Sequence, residues 1–266
     1  YKRQVIWRVF HPFNEINNSE TVCKLFWKPL KKSLSSLTRR MDIFFAGANT
    51  IPGHEGVWVA SMGHLMGLFD KPWLNISPNK KMIFLRYAEF NKINSKKIVE
   101  TAMFFDIPHL MSQAGLNPFP SQTGANLVQP GPSSHDGLLF EEQDAAETIK
   151  TKKVIEDMLD DLKVWKSTDR ASLIAELKKS WHKNMLWWGP TGIGATYTIE
   201  RYAEQHCEPF RESFKDRKFN GHLCRVTEGS FGGFFGWPNL SLVHSGGFMG
   251  MPSTGKIGDM RVIDVY

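Results

Sequence analysis

The sequence has few cysteines for its length. Its 266 residues include three, Cys23, Cys207 and Cys224. Their spacing forms no Cys-x-x-Cys pair and no cysteine–histidine metal motif. This excludes a disulfide-rich scaffold, and we expect a reducing, cytoplasmic compartment. Because no cluster of histidines and acids has the spacing of metal ligands either, we expect no metal site.

Long apolar runs are also missing, so we expect no membrane partner. No stretch of about 18 apolar residues exists, and no signal peptide is visible. The net charge is +6, but the lysines and arginines are scattered. Because nucleic-acid binding needs a basic stripe or a motif, we expect no nucleic-acid partner. The chain starts at Tyr1 rather than Met, which leads us to expect an upstream segment.

The chain divides at a stretch rich in proline. Residues 116–144 hold four prolines and little periodic apolar pattern, which is typical of a linker. We therefore predict a first domain over residues 1–116, a linker over 117–144 and a second domain over 145–266. Two helices are predicted to open the second domain, because apolar residues recur there at helical spacing: Val154, Ile155, Met158, Leu159, Leu162 and Trp165, then Leu173, Ile174, Leu177 and Trp181.

The two halves repeat each other at an offset of 180 positions. Glycine, proline and histidine recur without a gap, so that Pro29 falls on Pro209, His64 on His244 and Pro72 on Pro252. A further shift of five or six places Arg86 on Arg261 and Glu89 on Asp264. The repeat favours a duplicated protein.

Each half has a helical segment followed by strands. The pattern predicts helices over residues 19–37 and 196–214, then strands over 40–47, 56–69, 81–90 and 97–106 in the first half and 222–236, 240–248 and 259–266 in the second. We expect an α+β fold: two cone-shaped domains in tandem, each a set of helices on a curved antiparallel sheet, both truncated at the chain ends. The two sheets are expected to pack as an internal pseudo-dimer, with further homo-oligomerisation left open.

One glycine-rich segment carries a resemblance. His244–Lys256 reads HSGGFMGMPSTGK and resembles the H-x-G-x-F-x-G-x-P-x-T-G-[RK] segment of SnoaL-like polyketide cyclases, within the nuclear-transport-factor-2-like superfamily. Lys97, Glu100, Asp106 and Gln113 are similar to the family's closing segment. In the first half the glycine motif is degraded, and the closing segment of the second half falls beyond Tyr266.

This resemblance implies an apolar pocket in a cone-shaped barrel and a reaction without metal or organic cofactor. The implied chemistry is proton abstraction next to a carbonyl, leading to cyclisation, isomerisation or hydrolysis of a small hydrophobic or polyketide-like ligand. Asp106 maps onto the family's acid/base. The competing hypothesis is a non-catalytic binding or scaffold protein of the same fold, since fold does not fix function.

The candidate catalytic residues are Asp106, His64 and His244. A carboxylate inside an apolar run suits a general base, although Asp106 also fits a cap on the turn before Pro108. Histidine is tunable near neutral pH, although a buried histidine with satisfied nitrogens is as common. The candidate substrate-binding residues are Trp58, Arg86, Trp188, Trp237 and His222. The alternative is core packing for the tryptophans, a cross-strand ion pair or solvent exposure for Arg86, and an exposed sheet face for His222.

Overall fold

The computed structural model describes residues 3–164 and 169–266. Trp165, for which the sequence predicts a place on a helix, lies outside the described residues. No helix among the described residues is both long and apolar enough to cross a bilayer.

The first half consists of one curved sheet, a helical segment and a closing helix. Its elements are β1 (Ile6–Arg8), β2 (Glu15–Asn17), α1 (Ser19–Val22), a π-helical segment (Cys23–Trp27), α2 (Lys28–Ser33), β3 (Leu34–Asn49), β4 (Gly56–Phe69), β5 (Met82–Asn94), β6 (Lys97–Phe105) and α3 (Ile107–Gln113). The six strands lie in the order β2-β1-β6-β5-β4-β3. All neighbours are antiparallel except β1 and β6, which are parallel.

The second half repeats the order of elements from β1 to β5, with two helices in front and with two strands in the place of β3. These are α4 (Ala145–Val164), α5 (Arg170–Leu177), β7 (Leu186–Trp188), β8 (Ala195–Tyr197), α6 (Ile199–Tyr202), a π-helical segment (Ala203–Cys207), α7 (Glu208–Ser213), β9 (Phe214–Phe219), β10 (Cys224–Glu228), β11 (Phe231–His244) and β12 (Ile257–Val265). Strand β11 pairs with β9, β10 and β12, all antiparallel.

Each helical segment contains a π-helical turn ahead of a proline. Pro29 and Pro209 follow the π-helical turns, at the start of the third piece of each segment. A proline ring has no N–H and collides with the carbonyl four residues earlier, and a π turn relieves that conflict. The predicted helix over residues 19–37 ends earlier than expected, because β3 already begins at Leu34.

The offset between the halves changes along the chain, which corrects the alignment predicted from the sequence. Phe214 lies 180 positions after Leu34, but their strand partners, His244 and Phe69, are 175 positions apart. The long connection after Asn49 in the first half is a short turn at Gly229 in the second. His244 therefore corresponds to Phe69, and His64 corresponds to Asn239.

The two sheets pack against each other through their outer faces. Trp58 and Phe90 of the first sheet contact Phe235 of the second, with ring centroids 5.4 and 5.6 Å apart. All three side chains are fully buried. Burying one aromatic side chain of this size stabilises the fold by roughly 1.5–3 kcal/mol. This contact therefore holds the two halves together.

The predicted linker runs along the first sheet. It contains no named helix or strand within residues 117–144. Its backbone bonds to β3, because Phe44 N–H donates to the carbonyl of Gly137 at 2.7 Å and Leu139 N–H donates to the carbonyl of Phe44 at 2.7 Å. These bonds occupy backbone groups of a strand at the edge of the sheet.

Candidate functional site

Asp106 caps a helix and joins the two halves. Its Oδ1 accepts from the backbone N–H of His109 at 3.0 Å, at the start of α3. Its Oδ2 accepts from the backbone N–H of Thr191 at 2.9 Å and lies 3.6 Å from Nη2 of Arg86. The capping alternative describes this geometry, and both oxygens of the carboxylate already have partners.

Arg86 is fully engaged around the same point. Its guanidinium donates to the carbonyls of Trp188 at 3.0 Å and Gly189 at 2.9 Å, as well as to Gln129. A cavity of about 10 Å³ lies beside Arg86, Asp106, His109 and Trp188. That volume holds about one water molecule, so the two predicted substrate-binding residues Arg86 and Trp188 surround a space too small for an organic ligand.

His64 lies on the outer face of the first sheet rather than in its concavity. It pairs in register with Arg86 and shares the face of Met62 and Ala60, which packs toward the second half. Its Nδ1 is 3.3 Å from Oδ2 of Asp42. Burial lowers the pKa of His64, and the nearby carboxylate of Asp42 opposes that shift.

Three further predicted binding residues serve packing instead. Trp58 is completely buried between the sheets, with its Nε1 donating to the carbonyl of His54. Trp237 donates to the carbonyl of Val9 at 2.8 Å, and the guanidinium of Arg261 lies 4.1 Å from its ring centroid. His222 stacks on Phe234 at 4.2 Å.

Alternation along the predicted strand 222–236 would place His222 and Arg225 on opposite faces. In the structure Arg225 Nε donates to Nδ1 of His222 at 2.9 Å. The alternation did not apply, because β10 begins only at Cys224 and His222 precedes it.

The concave face of the first sheet is closed by apolar side chains. Val22, Phe26 and Leu30 from the helical segment pack on Phe69, Tyr87 and Phe105 from the strands, and all are buried. The acid on this face, Glu89, is paired with Arg39 at 2.5 Å. In the first half, apolar side chains therefore fill the interior of the cone-shaped barrel that the resemblance predicts.

The concave side of the second half has a different composition. A continuous row of ring contacts, with centroids 5.1 to 5.9 Å apart, runs from the chain end to the glycine-rich motif. We call this row, together with Asp264, the second-half concavity: Tyr266, Trp181, Tyr202, His206, Phe210, Phe214 and His244. His206 stands where the first half has Phe26, and Tyr202 stands where it has Val22.

Asp264 is the carboxylate of this concavity. It corresponds to Glu89, but the position of Arg39 is taken by Phe219, so the cation of the first half is missing. Among the described residues no side-chain hydrogen bond or ion pair to Asp264 is formed, and the residue is partly exposed. Burial raises the pKa of Asp264 to about 7, because an apolar environment disfavours the charged form.

The two histidines of the concavity keep an unpartnered nitrogen. Nδ1 of His206 and Nε2 of His244 are buried and, in the part of the chain that the structure describes, have no hydrogen-bond partner. Burial lowers the pKa of His206 to about 4, so this ring is neutral at pH 7. Nδ1 of His244 is 3.3 Å from Oγ1 of Thr254, which fixes its ring near the concavity.

Sequence reasoning aligned Asp264 with Glu89 but did not choose it as a base. The available signal was the alternation in residues 259–266. Together with the alignment of Asp264 on Glu89, it places both carboxylates on the same face of their strands. The replacement of Arg39 by Phe219 becomes visible only with the corrected strand pairing. Within the described residues, no group of three or more His, Cys, Asp and Glu side chains could hold a metal ion.

No protein-family model and no curated protein matches the sequence. Similar solved structures include a protein from Jannaschia sp. CCS1 described as a SnoaL-like polyketide cyclase, with 17% identity, a TM-score of 0.33, and coverage of 44% of this chain and 74% of that chain. AclR from Streptomyces galilaeus has 14% identity, a TM-score of 0.33, and coverage of 44% and 68%. An NTF2-like protein from Burkholderia thailandensis has 18% identity, a TM-score of 0.28, and coverage of 42% and 75%. Proteins of the type that the glycine-rich motif resembles are thus among the matching structures.

Proposed function

We propose that the chain removes a proton next to the carbonyl of a small, largely apolar compound, at the second-half concavity and without a cofactor. The observation that carries this proposal is the unpaired carboxylate of Asp264 between aromatic rings. A base with a pKa near neutrality combines a deprotonated fraction with enough basicity to take a carbon-bound proton. The resulting enolate can attack a second carbonyl of the same compound, which closes a ring, or can be reprotonated at another position, which isomerises the compound.

Two phenols lie next to the proposed base. Tyr202 and Tyr266 both interact electrostatically with Asp264, and burial raises the pKa of each phenol. Both therefore stay protonated at neutral pH, and a protonated phenol can donate a hydrogen bond to a developing enolate oxygen. We assign Tyr266 this role, because Tyr202 already interacts with Cys207.

The walls of the concavity suit an apolar ligand. Trp181, Phe210 and Phe214 supply ring surface, and the buried Nε2 of His244 is a polar atom without a partner among the described residues at the far end. This combination of aromatic walls with a few polar groups is typical of small-molecule sites.

We also propose that a duplication produced the domains 1–116 and 145–266, with the linker 117–144 between them. The cytoplasmic location stays a prediction.

Binding without turnover is the second candidate. The first-half concavity is filled and Asp106 is engaged by two N–H groups and Arg86, so one half already lacks a free base. A protein of this kind would use the second concavity only to hold its ligand.

Deuterium exchange separates these possibilities. Acetophenone in D₂O is the probe, and loss of its methyl protons by NMR is the measurement. Asp264→Asn should lower the catalysed exchange about 100-fold or more, since general-base contributions are typically of that size. Asp106→Asn should leave it within about threefold.

Other results would contradict the proposed base or favour binding without turnover. Undiminished exchange in Asp264→Asn contradicts the proposed base, and loss confined to Asp106→Asn restores the assignment made from the sequence. If the parent protein broadens the ketone resonances but gives no exchange above buffer, binding without turnover is the function.

A further inference from the structure

A groove runs along one face of the helical segment of the first half. It has a volume of about 430 Å³ and is lined by Ser19, Val22, Cys23, Trp27 and Lys31. Ser19, Cys23, Trp27 and Lys31 follow one another four positions apart, and Val22 lies next to Cys23, so they form one stripe of the helix. Cys23 and Trp27 are partly exposed and Lys31 is exposed.

The same stripe is covered in the second half. The counterparts 180 positions later are Ile199, Tyr202, Ala203, Cys207 and Arg211. Helix α5 lies on them, and its Leu173 and Leu177 are fully buried in that contact. The second half therefore shows what kind of element fits this surface: a short amphipathic helix with two leucines one turn apart.

Charges fix the orientation of α5 on its stripe. Arg170 pairs with Glu208 at 2.6 Å, Lys178 with Glu200 at 3.4 Å, and Glu176 lies 3.8 Å from Arg211. The corresponding groove residues of the first half are Lys28, Glu20 and Lys31. Two of these three signs are kept, and the sign at the Arg170 end is reversed.

We propose that the groove binds an amphipathic helix of a separate polypeptide with the apolar pattern of α5 but an acidic residue in place of Arg170. Its acids would meet Lys28 and Lys31, which form no ion pair among the described residues, and its base would meet Glu20. The α5 of a second copy fits less well, because Arg170 would then face Lys28. This docking surface is independent of the proposed chemistry at Asp264.

Two labelled peptides test the proposal by fluorescence anisotropy with the full chain. One has the sequence of residues 169–181, and the other carries Arg170→Glu. The Arg170→Glu peptide should bind about fivefold or more tightly at low salt, because a repulsive pair becomes attractive. Lys28→Glu in the protein should reverse that preference, and Leu25→Ala, on an exposed side chain outside the groove, should leave it unchanged.

Alkylation of Cys23 locates the bound peptide. Cys207 and Cys224 are buried, and burial raises the pKa of both thiols, so Cys23 is the thiol that reacts with iodoacetamide. The Arg170→Glu peptide should slow that reaction about fivefold or more, measured by mass spectrometry. Equal affinity of the two peptides, no protection of Cys23, or concentration-dependent self-association that Lys28→Glu abolishes would each overturn the proposal.

Discussion

At the scale of single residues, the two halves differ in the side chains that they carry at matching positions of the concave face. His206 and Asp264 stand in the second half where Phe26 and the paired Glu89 stand in the first. The sequence shows that Asp106 lies in an apolar run. It could not show that the N–H group of Thr191, 85 positions away, satisfies that carboxylate, because tertiary packing alone brings the two together.

The ionisation of Asp264 should make the free energy of unfolding depend on pH. The pKa of Asp264 is raised from 3.8 to about 7, so its contribution favours the fold below about pH 4 and is lost as the pH rises through 7. Asp264→Asn should therefore be more stable than the parent by about 1–3 kcal/mol at pH 8 and nearly equal at pH 4. Urea unfolding at the two pH values measures this.

His206 provides the control with the opposite sign. Its pKa is lowered from 6.5 to about 4, so its contribution is present above pH 6.5 and is lost as the pH falls through 4. His206→Phe, the residue of the first half, should gain stability mainly at the acid end. A gain for Asp264→Asn at acid pH only would contradict the assigned burial of that carboxylate.

At the scale of elements, the sequence predicted strands more reliably than connections. The predicted strand 56–69 coincides with β4, because alternation over many residues is a strong signal. The region 222–248 was predicted as two strands with a break near residue 237. The structure instead turns at Gly229 and continues as β11 to His244. That shorter connection moved the alignment by five positions and created the false equivalence of His64 and His244.

Helix α3 supplies a prediction about the cap at Asp106. Asp106→Ala should destabilise the chain by about 3–5 kcal/mol, because it leaves two backbone N–H groups and the buried side of Arg86 without their acceptor. Asp169→Ala removes an exposed cap on α5 and should cost about 1 kcal/mol. Thermal unfolding compares the two, and equal losses would show that the links to Thr191 and Arg86 contribute little.

At the scale of the whole molecule, the contact between the sheets should make the halves unfold together. Phe235→Ala removes a fully buried ring that touches Trp58 and Phe90, at a cost of about 3–5 kcal/mol. Phe219→Ala, on an exposed ring of β9, should cost under about 1 kcal/mol. Calorimetry should give one transition for the parent and for Phe219→Ala. Two separate transitions in the parent would show that the halves are thermodynamically independent.

The parallel pairing of β1 with β6 has a consequence for synthesis on the ribosome. Ile6 is paired with Glu100, so β1 leaves the exit tunnel long before β6 and waits for nearly the whole first half before this partner exists. Until then Trp7, which is completely buried in the finished molecule, is exposed on the nascent chain. Closing such a long loop is slow compared with forming hairpins. Strand β1 can thus join β6 only late in the synthesis of the first half, and until then a chaperone can cover its apolar side chains.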